Sequence, residues 1–454
     1  MSVTALVLGG GGSRGAYEIG VWRALREHGE AFSVVTGTSV GALNGAIIAQ
    51  GDYDLAVDVW STITTDMILS IDSSPGDKTL RERLSRFGLF AREIAANKGA
   101  DSAPLRALLY RVLDEDKIRA SAIRFGLVTV KFPELSPRAL FTDEIPRGEL
   151  IDYILASAAC FPAMQKQVIG DTAYIDGGYF DNLPIELASR GGAERVIAVD
   201  VHGVGICRRP ENVDHARIHL ITTAWNLGSI LLFDADNARR NMELGYLDTL
   251  KSFGKLDGKL YAFEKGEAAN LRPATDRLHA AFDHLFPPAK RGAIGLYDIL
   301  RLRTLRFMKN LYRGFEAPLQ LKSSRRRAGE IDFHLAAAEN AARVFAVSPT
   351  KIYTARVFED TVRDAYAATE LPDPSHLEAI LAEADTAPRR AERLLAEAES
   401  ITSARVARYL GELLSRPSVS QALLVAAATA FPAEFQAALY IRAFPTDSVL
   451  PLSC

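Results

Sequence analysis

The sequence predicts an α/β fold in which a mostly parallel sheet, covered by helices on both faces, is followed by a mainly helical C-terminal region. Three observations support this prediction. Short apolar runs alternate with helical stretches as far as about residue 255. Two glycine-rich turns each lead from an apolar run into a helix. Beyond residue 255 the periodicity is helical and is interrupted by prolines. We therefore predict two domains, residues 1–255 and 256–454.

The predicted strands are short apolar runs that end at glycine, proline or polar residues. They lie at residues 4–8, directly before Gly37, and at 125–130, 138–141, 167–169, 173–175, 195–201 and 217–222. Helices are predicted at residues 16–25, 42–50, 150–159, 183–190 and 225–253, and residues 52–120 are predicted to be mainly helical. This alternation is the reason for expecting parallel pairing.

Whole-chain properties exclude several classes of protein. The chain has 454 residues with 48% hydrophobic content, enough for two or three domains, and its net charge of −3 shows no overall bias toward nucleic acid or anionic membranes. Its three cysteines, Cys160, Cys207 and Cys454, predict neither a disulfide framework nor a Cys-rich metal site. The first apolar run stops at Leu8, too short for a signal peptide or a membrane span. These features predict a cytoplasmic protein.

Ser39 is the predicted nucleophile. It lies in Gly37-Thr38-Ser39-Val40-Gly41, which follows a predicted strand and opens a predicted helix. In such an elbow a sharp turn lifts the serine hydroxyl clear of the sheet, and the two glycines remove the Cβ atoms that would clash there. An ordinary strand-to-helix turn has a similar composition, so the interpretation depends on its surroundings.

A glycine-rich loop between the first strand and the first helix is predicted to hold an anion. Consecutive N–H groups at a helix start favour negative charge, so the amides of Gly10, Gly11, Gly12 and Ser13 are candidates for an oxyanion hole, to which Arg14 adds positive charge or rigidity. The same loop matches the dinucleotide-binding pattern Gly-x-Gly-x-x-Gly. That reading requires an acid about 20 residues further on, where the sequence has Gly37-Thr38-Ser39.

Asp176 is the predicted base, because it ends a short strand and is followed by two glycines that let the backbone turn away. A serine hydroxyl needs a base within hydrogen-bond reach. Either Asp176 acts on Ser39 directly, or it orients His202 in the order Ser, Asp, His of the α/β-hydrolases. The position of the serine after the second strand, behind a glycine loop, favours the direct pair. The other histidines show no spacing typical of a metal triad.

Together these blocks resemble the patatin-like phospholipases over about residues 3–255. The resemblance rests on the glycine loop, the serine elbow, and Asp176-Gly177-Gly178 with Asn182 close behind, and it extends to the intervening stretch Ala156-Ser157-Ala158. It implies a three-layer α/β/α fold and a Ser39–Asp176 dyad that hydrolyses acyl esters of lipids, with loop 10–13 as the oxyanion hole. It implies no metal and no organic cofactor. Phe180-Asp181 departs from the small apolar residue and asparagine that are common there.

A lipid substrate must be taken from an aggregate or bilayer, so a membrane-facing surface is expected. Residues 290–327 contain eleven Lys or Arg against Asp298 and Glu316, with apolar residues interleaved. This pattern predicts a basic amphipathic helix in peripheral contact with an anionic membrane. A helix that packs on the catalytic domain, with a solvated basic face, has the same pattern. No nucleic-acid-binding module accompanies it.

The resulting hypothesis is a serine lipid acyl hydrolase of the phospholipase A or lysophospholipase type, cytoplasmic and peripheral at the membrane. A catalytically silent lipid-sensing or scaffold protein with the same fold is the alternative. A dinucleotide-binding protein is the less favoured one. The sequence predicts neither the head-group preference nor the oligomeric state.

Overall fold

The computed structural model describes residues 3–70, 99–211, 217–286, 333–386, 401–416 and 419–443. The basic segment 290–327 lies outside the described residues. The chain forms two compact units, of which the first extends to Phe253 and the second begins at Gly254. We describe each unit by itself. That residues 1–255 and 256–454 are independent domains stays a prediction.

The described part of the first unit contains an eight-stranded sheet with the order β5-β6-β3-β2-β1-β7-β8, in which β4 also pairs with β3. The strands are β1 (Thr4–Leu8), β2 (Val34–Thr38), β3 (Arg124–Phe132), β4 (Ser136–Phe141), β5 (Gln167–Ile169), β6 (Thr172–Asp176), β7 (Arg195–Asp200) and β8 (Ile218–Thr222). The pairs β1–β2, β1–β7, β2–β3 and β7–β8 are parallel, whereas β3–β4, β3–β6 and β5–β6 are antiparallel. The mostly parallel sheet is thus confirmed.

Helices cover both faces of this sheet. They are α1 (Ala16–Glu27), α2 (Val40–Gln50), α3 (Tyr53–Thr62), α4 (Ala103–Val112), α5 (Glu115–Ala120), α6 (Leu150–Ser157), α7 (Ile185–Arg190) and α8 (Ala235–Ser252). Successive residues of a strand point to opposite faces. Accordingly Leu6 and Leu8 of β1 share a core with α1, α2, α4, α6 and α8, whereas Ala5 and Val7 share the other core with α7. The three-layer α/β/α prediction is confirmed.

The last helix of this unit is shorter than predicted. Helical periodicity suggested a start at Trp225, but α8 begins at Ala235, where the Asp234 side chain accepts the amide of Asn237. Residues 223–234 are a loop, and several of their carbonyls accept hydrogen bonds from the glycine loop instead of from a helix. The Gly228 carbonyl accepts from the Arg14 side chain, and the Ile230 carbonyl accepts from the Ser13 amide.

Two strands meet end to end along one edge of β3, and this meeting brings the predicted site together. β2 runs parallel to β3 and pairs Thr38 with Val128, whereas β6 runs antiparallel and pairs Asp176 with Thr129. β4 pairs with the same stretch of β3 and occupies the opposite edge. Each strand has only two edges, so the C-terminal ends of β2 and β6 must converge at adjacent positions of β3.

The second unit is mainly helical, as predicted. Its described helices are α9 (Arg272–Leu285), α10 (Phe333–Val344), α11 (Ala355–Ala368), α12 (Pro374–Thr386), α13 (Ser403–Leu413), α14 (Gln421–Ala430) and α15 (Pro432–Arg442). A short parallel pair, β9 (Ala262–Phe263) with β10 (Ile352–Tyr353), was not predicted. The fully buried Glu339 of α10 accepts the amides of Lys259, Leu260 and Tyr261 at 2.8, 2.9 and 3.0 Å.

Among the described residues, none of the helices taken alone has the length and apolar character needed to cross a bilayer. Helices α14 and α15 meet that requirement only as a pair, which is bent by 118°. Much of this pair is buried inside the protein, including Phe435, Leu439 and Tyr440. Burial of that kind is typical of core helices.

Candidate active site

Ser39 lies at the sharp turn between β2 and α2. Its backbone has φ 56° and ψ −124°, in the left-handed half of backbone space that residues with side chains rarely adopt. The flanking glycines are needed for the turn to close. A Cβ on Gly37 would lie 2.1 Å from the Gly41 carbonyl oxygen, and one on Gly41 would lie 2.4 Å from the Leu8 carbonyl oxygen. The strained serine backbone is the geometry expected of a nucleophile elbow.

Asp176 ends β6, beside the elbow. Its carboxylate is buried, and Oδ1 accepts the amide of Gly178 at 2.7 Å. Burial raises the pKa of Asp176 to about 6, while hydrogen bonding by the Ser39 hydroxyl and the Gly178 amide opposes that rise. A Cβ on Gly177 would lie 2.2 Å from the Val128 carbonyl oxygen, so only glycine lets the chain pass this close to β3.

Ser157 holds the backbone of the elbow through a hydrogen bond, a role that the sequence did not reveal. The Ser39 amide donates to the Ser157 hydroxyl at 3.0 Å, and that hydroxyl donates to the Val128 carbonyl at 2.6 Å. Ser157 is fully buried. Its hydroxyl therefore satisfies two backbone groups at the junction where the β2 and β6 ladders end. The only signal in the sequence was the stretch Ala156-Ser157-Ala158 among residues that resemble the family.

Three of the five predicted oxyanion-loop residues have structural partners for their amides. The Gly10 amide donates to the Asn182 carbonyl at 3.0 Å, the Ser13 amide to the Ile230 carbonyl at 2.9 Å, and the Arg14 amide to the Gly11 carbonyl at 3.3 Å. The Arg14 guanidinium donates to the Gly228 and His202 carbonyls. Arg14 is therefore used in holding the loop, the second of the two roles expected for it.

Two amides of the glycine loop and one at the start of α2 can donate to a ligand. Among the residues that the structure describes, no hydrogen-bond partner is found for the amides of Gly11, Gly12 and Val40. Gly11, Gly12 and Val40 line the same cavity as Ser39 and Asp176. Gly12 has φ +58°, and a Cβ there would lie 2.1 Å from the Ile230 carbonyl oxygen, so the loop requires glycine at this position. These amides are suited to bind a developing oxyanion.

Asn182 is a second residue whose part the sequence did not indicate. Its carbonyl accepts the Gly10 amide, and its side-chain amide donates back to the Gly10 carbonyl at 3.1 Å. A Cβ on Gly10 would lie 2.3 Å from the Asn182 side-chain oxygen. Asn182 thus fixes the glycine loop against the turn that follows Asp176.

The cavity that contains Ser39 and Asp176 has a volume of about 430 Å³. Its walls are mostly apolar, as is typical of sites for small apolar ligands. The apolar side chains contributed by α2, α3 and α4 are Leu43, Ile47, Val59, Trp60, Leu105, Leu108, Leu109 and Val112. Cys160 also lines the cavity, but burial and the nearby Asp176 raise the pKa of its thiol to about 11. It is therefore uncharged and a poor nucleophile at neutral pH.

His202, the alternative base, has other partners. Its Nε2 lies 2.8 Å from the Thr223 carbonyl and 3.0 Å from the Thr222 hydroxyl, and its amide donates to Asp200. It is not among the residues that line the cavity. The structure therefore brings Asp176, and not His202, to Ser39.

Comparison with known proteins gives a family match and several relatives. Residues 6–189 match the family model described as "Patatin-like phospholipase". The rat (Rattus norvegicus) "Patatin-like phospholipase domain-containing protein 7" is 30% identical over 203 residues, which are 43% of this chain and 13% of that protein. "Lysophospholipase NTE1" of Scheffersomyces stipitis is 29% identical over 292 residues, 62% of this chain and 17% of that protein. The chain thus spans less than a fifth of the length of these relatives.

A solved structure, that of VipD from Legionella pneumophila, aligns with 94% of this chain and 91% of its own at 12% identity and a TM-score of 0.32. The family match and the curated relatives confirm the resemblance drawn from the sequence. Residues 6–189 are thus similar to a patatin-like phospholipase domain.

Proposed function

We propose that this protein hydrolyses carboxylic esters of lipids, as a phospholipase A or lysophospholipase, with Ser39 as nucleophile and Asp176 as base. The observation that carries the proposal is the convergence of both side chains on one apolar cavity. The names of the relatives, a patatin-like phospholipase domain-containing protein and a lysophospholipase, support the substrate class. Residues 256–454 have no role in this proposal.

In the proposed reaction the Ser39 hydroxyl attacks the ester carbonyl while Asp176 accepts its proton. The tetrahedral intermediate collapses, and the leaving alcohol takes that proton from Asp176. An acyl group then remains on Ser39. A water molecule, deprotonated in turn by Asp176, releases the fatty acid and restores the serine.

The oxyanion of each intermediate would be bound by amides that have no other partner among the described residues. We assign this role to the amides of Gly11 and Gly12, joined by Val40, which follows the nucleophile. Val40 is also the first residue of α2, whose N-terminus favours negative charge. Gly10, Ser13 and Arg14, predicted as part of the same hole, would act by holding the loop in shape.

Activity-based labelling tests the proposal. A fluorophosphonate probe is expected to modify the full-length protein at Ser39, and Ser39→Ala is expected to lose both labelling and ester hydrolysis. Asp176→Asn is expected to lose hydrolysis, because an amide accepts no proton from the hydroxyl. A catalytically silent scaffold would show neither activity.

Asp181→Asn is the matched control. Asp181 is also a buried aspartate, and its Oδ1 accepts the Leu183 amide at 3.3 Å, but it does not line the cavity. Asparagine keeps that acceptor, so hydrolysis should be retained. A protein in which His202→Ala is inactive and Asp176→Asn remains active would contradict the dyad.

The cellular location is also a proposal. The cytoplasmic assignment rests on cysteine usage, and Cys160 and Cys207 are both unpaired in the structure. Fractionation of cells that express the tagged full-length chain is the direct measurement. Recovery of the protein only in a secreted or lumenal fraction would contradict it.

A further inference from the structure

An exposed apolar ridge stands at the mouth of the cavity. It consists of residues 203–206, in which the side chains of Val204 and Ile206 are 86% and 57% exposed. Tyr179, beside it, is 44% exposed. All three residues line the cavity that contains Ser39. Large apolar side chains clustered at the entrance of a binding site typically mark an interaction surface.

The ridge is held firmly by the site itself. The Ile206 amide donates to the Gly178 carbonyl at 2.8 Å, and the Ile206 carbonyl accepts the Asn182 amide at 2.7 Å. At the other end a Cβ on Gly203 would lie 1.8 Å from the Gly10 carbonyl oxygen, so the backbone there presses against the glycine loop. The backbone is therefore fixed on both sides of Val204, at Gly203 and at Ile206, while the Val204 side chain is exposed.

Positive charge follows the ridge directly. Arg208 and Arg209 are exposed, and residues 201–210 contain no Asp or Glu. The Arg208 guanidinium lies 4.4 Å from the centroid of the Phe180 ring, and Phe180 follows Gly178, whose carbonyl binds the Ile206 amide, by two residues. An apolar tip with arginines at its base matches the layers of an anionic lipid surface, in which acyl chains lie beneath phosphates.

We propose that the 203–206 ridge inserts into a lipid surface and places the cavity mouth against it. The inference rests on the proposed function, because an acyl chain can then pass from bilayer to cavity without the free-energy barrier of exposing its methylene groups to water. Val204 and Ile206 contact the acyl region, while Arg208 and Arg209 contact lipid phosphates. This surface differs from the predicted segment 290–327.

Vesicle co-sedimentation tests the ridge without requiring hydrolysis. The full-length Ser39→Ala protein serves as parent, so that the vesicles, made of phosphatidylcholine with phosphatidylglycerol, stay intact. The parent is expected to sediment with the vesicles. Val204→Asp should weaken binding about tenfold or more, because a charge replaces an apolar side chain that would be inserted in the lipid. The double variant Arg208→Glu, Arg209→Glu should weaken binding to these anionic vesicles more than binding to vesicles of phosphatidylcholine alone.

Val168→Asp is the matched control. Val168 is 61% exposed in β5 of the same unit but does not line the cavity, so its substitution should leave vesicle binding unchanged. Thermal unfolding is expected to be the same for parent, Val204→Asp and control, since both valines are exposed. Failure of the parent to bind vesicles, equal binding by Val204→Asp, or an equal loss in the control would each overturn the proposal. Fluorophosphonate labelling of the unmodified Ser39 reports separately on the proposed function.

Discussion

Asp176 shows how a single residue is suited to a task by its surroundings. Its carboxylate is withdrawn from water at the end of β6, which raises its pKa from 3.8 to about 6. A base of this strength is mostly ionised at neutral pH and binds a proton more firmly than an ordinary aspartate does. Burial thus improves the base at a cost in stability, and both effects are measurable.

The first prediction concerns pH. Only the ionised form of Asp176 accepts the Ser39 proton, so kcat/KM for a soluble ester should fall about tenfold per pH unit below about pH 6. The measurement is a pH–rate profile of the full-length protein. Asp181, whose pKa burial raises to about 7, is the competing source of such an inflection. The Asp181→Asn variant should keep the same inflection. If the inflection disappears in this variant, its source is Asp181 and not Asp176.

The second prediction concerns the stability of Asp176→Asn. The pKa of Asp176 is higher in the folded than in the unfolded protein, so ionisation favours the unfolded chain. The penalty develops as the pH rises from 3.8 to about 6 and is constant above. This pKa shift lowers the free energy of unfolding by at most about 3 kcal/mol. Asp176→Asn should therefore raise the free energy of unfolding at pH 7 but not below about pH 4, as urea denaturation at both pH values would show. An equal effect at both values would contradict burial of the charge.

At the scale of elements, α2 both presents the nucleophile and lines the cavity. The helix begins directly after Ser39, and Ile47 lies about 12 Å further along its axis at 1.5 Å per residue. Near its end the Gln50 side chain donates to the Val112 carbonyl of α4 at 3.2 Å and accepts the amide of Asp114. Ile47 and Val112 both line the cavity, so the part of it near the junction of α2 and α4 is remote from Ser39.

The third prediction follows from this arrangement. Val112→Phe should shorten the space for an acyl chain and reduce kcat/KM for palmitoyl esters more than for butyryl esters. Each methylene excluded from the cavity costs about 0.8 kcal/mol, or about fourfold. The measurement is the ratio of kcat/KM for the two esters. Tyr110→Phe, on the exposed side of α4, is the control. An unchanged ratio in Val112→Phe would place the end of the acyl chain elsewhere.

At the scale of the whole molecule, every cavity-lining residue within the described part of the chain precedes Phe253. The first unit also contains two hydrophobic cores of its own, one on each face of the sheet. A unit with its own core is expected to fold by itself.

The fourth prediction is therefore that a fragment ending at residue 255 folds, reacts with the fluorophosphonate and hydrolyses soluble esters. The fragment and the full chain would be compared by labelling at Ser39 and by kcat/KM, with Ser39→Ala in each as the blank. A well-folded fragment that is inactive beside an active full chain would show that residues 256–454 complete the site, and the predicted domain division would then be wrong.

The sequence was most informative where chemistry depends on near neighbours. The elbow at Ser39 and the turn after Asp176 were predicted, because glycines within two residues of each are what such turns require. The sequence was less informative where a group bonds to a distant part of the chain. The apolar residues after Trp225 suggested a helix, but the carbonyls of Gly228 and Ile230 are bonded to the glycine loop.

By itself the sequence determined the α/β fold, the patatin-like phospholipase resemblance and the candidate pair Ser39 and Asp176. Only the tertiary structure brought that pair together, because β2 and β6 end at adjacent residues of β3, and strand pairing is set by the packing of the whole sheet. It also decided which loop amides remain available, since those of Gly10 and Ser13 are bonded to Asn182 and Ile230. Hydrogen bonds between segments so far apart in the chain have no local pattern from which a sequence reveals them.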